Sequence, residues 1–445
     1  MSGQEIVEKD WAAEDRKRRV FSEKGIWHET CGNGICDFQE RINVDRMRTE
    51  RREKTREQLK KHNLGAILCF REFNMKYIAA TMKFTYLTEY QQLGPLPSGQ
   101  RYVLLTQGHE KPLYCEHGDI SEQAAYHMPW VDADYARGAP FMELTMGREA
   151  NEWIGRKFID YLKAQLKRMG ALNERLGIDV YAPRFEQMLK DAGIEVTTEG
   201  MEALADAREV KTRDEIECIR MASAIAEAAL SKVAQAIKPG VRESDLVGIM
   251  NQVSYQYGGT TYGDTWVACS GPNTAPNLRT FTDRMIRPGD VVFVDAYGTH
   301  YLEYHTCYYR TFVCGKAWPE LKEAFKKVAF WQRAPLEKCK DGNTTKDIAE
   351  RCPGADKWGY TDEAKAMGNA IAHGIGLSHV ERPFISREWS IDHPMPLKEG
   401  MVFAIENQFP DGLGQGVRLE DIVAVTKTGY ELLTRWPLEL IECPY

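Results

Sequence analysis

Arg287-Pro-Gly-Asp-Val-Val-Phe-Val-Asp295 decides how this chain is read. The apolar run Val291-Val-Phe-Val294 closes on a carboxylate, and a charge at the end of such a strand is costly unless it is paired or binds a metal. Two further acids sit in the same kind of setting. Glu406 follows Met401-Val-Phe-Ala-Ile405, and Glu420 lies inside Val417-Arg-Leu-Glu-Asp-Ile-Val423. His373 opens His373-Gly-Ile-Gly-Leu377, where two glycines allow the backbone to approach closely. One acid in an apolar strand usually has a partner cation. Three acids and a histidine point instead to a metal site or an acid/base cluster.

Working outward, the chain divides near residue 206. Residues 1–45 read as a polar, aromatic-dotted arm with a turn at Gly32-Asn-Gly34. A helical pattern runs from Val44 to Lys61, followed by strands at Gly65–Phe70 and Asn74–Ala79, then Arg101–Thr106. Helical spacing over Trp153–Met169, a strand at Arg175–Val180 and a helix at Ala182–Ala192 complete an α/β domain over 46–205. From 206 to 445 the pattern changes. One long helix is expected over Ala207–Ala236, stopped by Lys238-Pro-Gly240, and a second over Glu243–Tyr257. Strands are expected at Asp264–Ser270, Val291–Ala296, Tyr304–Cys314, Met401–Phe409 and Gly416–Val425, with helices at Pro319–Lys340 and Thr345–Arg351 between them. Long helices mixed with hairpin-linked strands indicate an α+β domain.

Composition narrows the function classes. The 445 residues are 43% hydrophobic and carry a net charge of -7, which suits a globular chain with no general attraction to nucleic acid or anionic membranes. No apolar run approaches the about 18 residues that span a bilayer, and the charged start lacks the apolar core of a signal peptide. A cytoplasmic protein without nucleic-acid or membrane partners is expected. Eleven scattered cysteines argue for free thiols, and His28, Cys31 and Cys36 form a small cluster that reads as loop rather than as a zinc site.

The second half resembles the pita-bread superfamily of creatinase, prolidase, aminopeptidase P and methionine aminopeptidase. The matching stretches are Arg208-Glu-Val-Lys211, Asp214-Glu-Ile216, Lys238-Pro-Gly240, Ser270-Gly-Pro-Asn-Thr274 and Arg287-Pro-Gly-Asp-Val291 with Asp295. They continue with Arg310-Thr-Phe312, His373-Gly-Ile-Gly-Leu377, Gly400-Met-Val-Phe403 with Glu406, and Arg418-Leu-Glu420. The resemblance implies an α+β fold: a C-terminal pita-bread domain preceded by a creatinase-type α/β domain. It also implies a pair of divalent ions about 3.5 Å apart, held by two aspartates, a histidine and two glutamates. Asp295, His373, Glu406 and Glu420 take four of those five places. Counting back from Arg310-Thr-Phe312, the second aspartate's place falls on Cys307, and strand alternation would put His305, Cys307 and Tyr309 on the face toward Asp295. Three outcomes fit: one zinc, iron or manganese ion on His373, Glu406 and Glu420; a softer ion with Cys307 or His305 replacing the carboxylate; or a metal-free site with His373 as acid or base.

Two departures bear on reaction type. The resemblance places peptidase histidines at Asn277, after Pro276, and at Val380, with His379 one residue early. Their loss argues against peptide cleavage. The pita-bread dimethylsulfoniopropionate lyase also lacks them, keeps the 15-residue step from Asp295 to Arg310, and places its general base at His379. The expectation is therefore a non-peptidase hydrolase or lyase acting on a small polar substrate, with His379, His305 and Tyr309 as catalytic groups. A prolidase-like Xaa-Pro metallo-dipeptidase is the alternative, and a non-catalytic binding module the third reading. Tyr297, Tyr301, Trp266 and Asn277 are candidate substrate contacts. The aromatic ones would attract a cationic substrate by about 0.5–2 kcal/mol per ring. By analogy a homodimer is expected, with the 1–45 arm reaching a neighbour.

Overall fold

Thr212 marks where the two halves part. Its hydroxyl accepts from the Glu215 N–H, and the Glu215 carboxylate accepts from the Thr212 N–H, a reciprocal cap that starts the helix Arg213–Ala236. The single helix expected over 207–236 is therefore two, the first being Gly200–Glu209. Val210 and Lys211 leave helical geometry to pair with Met401 and Gly400. This computed structural model describes residues 42–82, 101–116, 118, 120–138, 143–261, 267–275 and 280–445. Residues 1–41 of the expected 1–45 arm, the His28, Cys31 and Cys36 cluster, Trp266 and Asn277 lie outside them.

Contacts cluster into two compact units, divided between Ala207 and Arg208. In the first, six strands form a mixed sheet. They are β1 (Ala66–Cys69), β2 (Tyr102–Thr106), β3 (Leu113–Glu116), β4 (Asp132–Tyr135), β5 (Leu176–Ile178) and β6 (Val196–Thr197), in the order β4-β3-β2-β1-β5-β6. Phe70, Tyr102, Phe158 and Phe185 interlock in its core. Residues 74–79, read as a strand, belong to the helix Glu72–Ala79. The six-residue run is too short for periodicity to choose. The buried Asp179 carboxylate fixes the helix start by accepting from the Phe70 and Arg71 N–H groups and from Asn74.

The second unit carries three sheets. β7 (Thr260–Thr261), β10 (Thr299–Tyr301) and β11 (Tyr304–His305) form the smallest. β8 (Val267–Ser270), β9 (Val291–Asp295), β12 (Tyr309–Cys314) and β18 (Ile441–Cys443) form a second, in the order β18-β12-β9-β8. β13 (Ala370–Gly374), β14 (Glu381–Ile385), β15 (Val402–Pro410), β16 (Gly416–Val425) and β17 (Tyr430–Leu432) form an antiparallel third, in the order β14-β13-β15-β16-β17.

The two larger sheets are stitched together along β12 and β16. The Thr311 hydroxyl donates to the Arg418 carbonyl at 2.7 Å and accepts from the Arg418 N–H at 3.1 Å. Buried Arg310 donates to the Glu420 carbonyl at 2.6 Å and to the Asp421 carboxylate at 2.7 Å. That seam brings the end of β9 against the middle of β16. Among the described residues no helix is long and apolar enough to cross a membrane.

Candidate metal centre

Period-two alternation along three neighbouring strands builds the pocket. Glu406 on β15 stands directly opposite Glu420 on β16, and His373 on β13 stands opposite Ala404, two residues from Glu406 and so on its face. Like charges directly opposed in an antiparallel pair are destabilising. Across the seam, Asp295 ends β9 opposite Tyr309 on β12. All these side chains are buried. Ligand atoms of His373, Glu406 and Glu420 lie within 4.8 Å of one another, as do those of Asp295, Cys307 and Glu420, and those of Cys307, His373 and His379.

The distances describe one cluster. His373 Nε2 is 3.7 Å from Glu420 Oε1, Cys307 Sγ is 4.0 Å from Asp295 Oδ1, and Cys307 Sγ is 3.6 Å from His379 Nε2. The His373 and His379 rings stack at 5.3 Å, and Tyr297 meets His379 edge-on at 4.9 Å.

Electrostatics show what the pocket lacks. Burial, and then the Glu406 charge, push the Asp295 carboxyl up to about 7, with Tyr309 and Arg418 pulling the other way. Burial, Glu406 and Asp295 push Glu420 well above the carboxylate range, and burial with the same acids pushes the Cys307 thiol up. Among the described residues one buried cation, Arg418, is set against the three acids. Burial works against the Arg418 charge, but Glu406, Tyr309 and Glu420 outweigh it and keep it ionised. Its guanidinium bonds Glu406 Oε2, donates to Gln408 at 2.6 Å and lies 4.4 Å over the Tyr309 ring. Neither Glu420 oxygen finds a regular hydrogen-bond donor. A divalent cation would satisfy that carboxylate and relieve the Glu406–Glu420 opposition, so the donor set fits one.

Several expectations need correction. The strand expected over 304–314 is two, because residues 306–308 separate β11 from β12. Alternation therefore does not run unbroken from His305 to Tyr309. His305 pairs with His300 across β10–β11, rings 4.1 Å apart, and comes to 6.0 Å from the His379 ring. The tyrosines also divide. Tyr297 and Tyr309 border the site, whereas the Tyr304 hydroxyl donates to Glu215 at 2.8 Å and Tyr308 is buried in the core beside Arg310. Tyr301 lies on β10 opposite Tyr304. His379, proposed from sequence as an acid/base group, is held near 3 by burial and by the His373 and His305 rings, and so is a neutral imidazole at pH 7.

Sequence reasoning gave no role to Glu381, which is buried between Lys211 Nζ at 3.0 Å and Arg208 Nε at 3.4 Å. Its carboxylate also accepts from the Ser378 N–H at 2.9 Å, and so anchors the loop that carries His379. Nor did it assign Arg418 a role, although Arg418 and Glu420 stand two apart on one strand and share a face.

Comparison with known proteins corrects the functional expectation. Residues 217–427 match the metallopeptidase family M24. An Xaa-Pro dipeptidase of Pyrococcus furiosus is 30% identical over 318 residues, 70% of this chain and 88% of that protein. One from Pyrococcus horikoshii is 25% identical over 395 residues, 88% of this chain and 99% of that one. The fold matches that of an Xaa-Pro dipeptidase from Bacillus anthracis with a TM-score of 0.69 at 24% identity, covering 88% of this chain and 99% of that one. These relatives overturn the non-peptidase reading and its lyase variant. The chain belongs to the metallopeptidase family M24, and is a metal-dependent hydrolase with the pita-bread fold.

Proposed function

We propose that this protein is a prolidase-like metallopeptidase that hydrolyses Xaa-Pro dipeptides. The observation that carries the proposal is the convergence of Asp295, His373, Glu406 and Glu420 on one buried, cation-deficient pocket. The likeness to Xaa-Pro dipeptidases over most of both chains supports the substrate class.

On this reading Asp295, His373, Glu406 and Glu420 hold the metal, and Cys307 stands where the family's second aspartate is expected. When bound, the metal supplies Lewis-acid polarisation of the scissile carbonyl and makes water nucleophilic at neutral pH. The side chains do the rest. Arg418 bonds Glu406 and holds it in the pocket. His305, beside His379 and His300, is assigned the proton that the departing amine needs. Tyr309 orients Asp295, and Tyr297 packs on His379 at the mouth of the cluster. A cytoplasmic homodimer is the setting this reading implies, and light scattering tests the dimer.

The test is a panel of Xaa-Pro dipeptides, each with an Xaa-Ala counterpart, assayed with added divalent ions and with chelator. Metal-dependent release of proline is expected, and Glu406→Ala is expected to abolish it. An absence of turnover across the panel with every ion would refute the substrate assignment.

A further inference from the structure

We propose that Cys307, His373 and His379 form a sulfur–nitrogen seat for one zinc ion in this pocket, with Glu420 completing the donor set. The proposal rests on reading the pocket as a metal centre, and goes beyond that reading by choosing the ion and by seating it on Cys307 and His379 in place of Asp295 and Glu406.

Geometry is the first support. A tetrahedral zinc with bonds of about 2.3 Å to sulfur and about 2.05 Å to nitrogen or oxygen holds sulfur and nitrogen ligands about 3.5 Å apart and nitrogen and oxygen ligands about 3.3 Å apart. Cys307 Sγ and His379 Nε2 are 3.6 Å apart, and His373 Nε2 and Glu420 Oε1 are 3.7 Å apart. The second support is orientation. His373 Nδ1 lies 3.1 Å from the Gly374 carbonyl, which accepts its proton and leaves Nε2 as the lone-pair donor toward the pocket. His379 is clamped between the stacked His373 ring and the edge of Tyr297, and its loop is tied down through Ser378 and Glu381.

Donor chemistry is the third. Arg418 already engages Glu406, so the hard oxygen donors left to a cation are fewer than the carboxylate count suggests. Both Glu420 oxygens, by contrast, are buried without a regular donor beside Cys307 and His373. Thiolate and imidazole favour zinc over manganese or magnesium. As the sulfur–metal bond forms, the thiol proton leaves to solvent.

Cobalt(II) replaces zinc in such seats and reports sulfur directly. The full chain is stripped with chelator, reloaded with cobalt(II), and its near-ultraviolet thiolate-to-cobalt absorption recorded. Zinc and manganese affinities are then measured for the wild type, Cys307→Ser, Cys307→Asp and His379→Gln. The wild type is expected to show the band and Cys307→Ser to lack it. Zinc affinity is expected to fall by at least about 100-fold in Cys307→Ser and His379→Gln, and Cys307→Asp to shift preference toward manganese. A wild-type cobalt complex with no thiolate band would overturn the proposal without recourse to any variant. So would Cys307→Ser binding zinc within about threefold of the wild type. Neither readout needs turnover. The band together with no proline release removes the Xaa-Pro reading and supports the zinc seat. Proline release by a wild-type protein without the band overturns the zinc seat alone.

Discussion

Replacing Glu381 by Gln tests whether the pocket's loop hangs on a buried charge. The carboxylate accepts from Lys211 Nζ at 3.0 Å and from the Ser378 N–H at 2.9 Å, and lies 3.4 Å from Arg208 Nε. The Lys211 and Glu381 side chains are 1% and 2% exposed, so solvent screens their pairing little. Glutamine keeps the shape and an acceptor oxygen but strands two buried cations. Breaking a buried pair in this way costs about 3–5 kcal/mol. At about 2–4 °C per kcal/mol for a unit of this size, the thermal midpoint is expected to fall by roughly 10 °C.

The pH dependence gives the sign. Burial alone would raise the Glu381 carboxyl, but Arg208 and Lys211 outweigh it and hold the group below its ordinary 4.5. A depressed folded value means the stabilisation is complete above about 4.5 and fades as pH falls through that folded value. The gap between wild type and variant, followed by near-ultraviolet circular dichroism on heating, should therefore be full at pH 7 and narrow in acid. Adding Lys211→Met to Glu381→Gln should recover much of the loss, because one stranded charge is removed. A loss below about 1 kcal/mol, or a gap that ignores pH, would refute this account of the loop.

Two further outcomes are expected. Glu420→Gln should leave the metal-free protein as stable as the wild type or more so at pH 7, since a carboxyl with a raised folded value costs stability when ionised, while abolishing the rise in thermal midpoint on adding metal. Differential scanning calorimetry with and without metal checks both halves. Gly374→Ala places a Cβ 2.2 Å from the Arg382 carbonyl, so β13 and β14 must separate, and loss of metal binding measured by equilibrium dialysis is expected along with lower stability.

Much of this was legible in sequence because the informative residues are local. Asp295, Glu406 and Glu420 stand out as charges inside apolar strands, and the structure brings them together with His373. Helix ends were readable where the cap is a breaker such as Lys238-Pro-Gly240. They were missed at Thr212, whose cap lies inside the charged run Lys211–Glu215, which reads as a helix surface as readily as a helix start. The break between β11 and β12 escaped notice because a run of tyrosines suits one long strand as well as two. Glu381 escaped because its partners are 170 and 173 residues away in sequence, and only the tertiary fold joins them. The functional misreading came from taking the absence of histidine at Asn277 and Val380 as loss of peptide cleavage, although His379, one residue early, was already expected in the pocket and its ring is there.

The opposed glutamates have one more consequence. Glu406 and Glu420 are rungs of a single ladder, so their spacing is set by backbone pairing of β15 and β16, with Cβ atoms about 4.5–5.5 Å apart. Such a ruler cannot stretch to suit a larger guest without unzipping the hairpin. Discrimination among ions must then come from which atom each side chain offers. If Cys307 is a ligand as proposed, sulfur offered in place of oxygen beside this ladder would retune the occupant while every strand stays where it is.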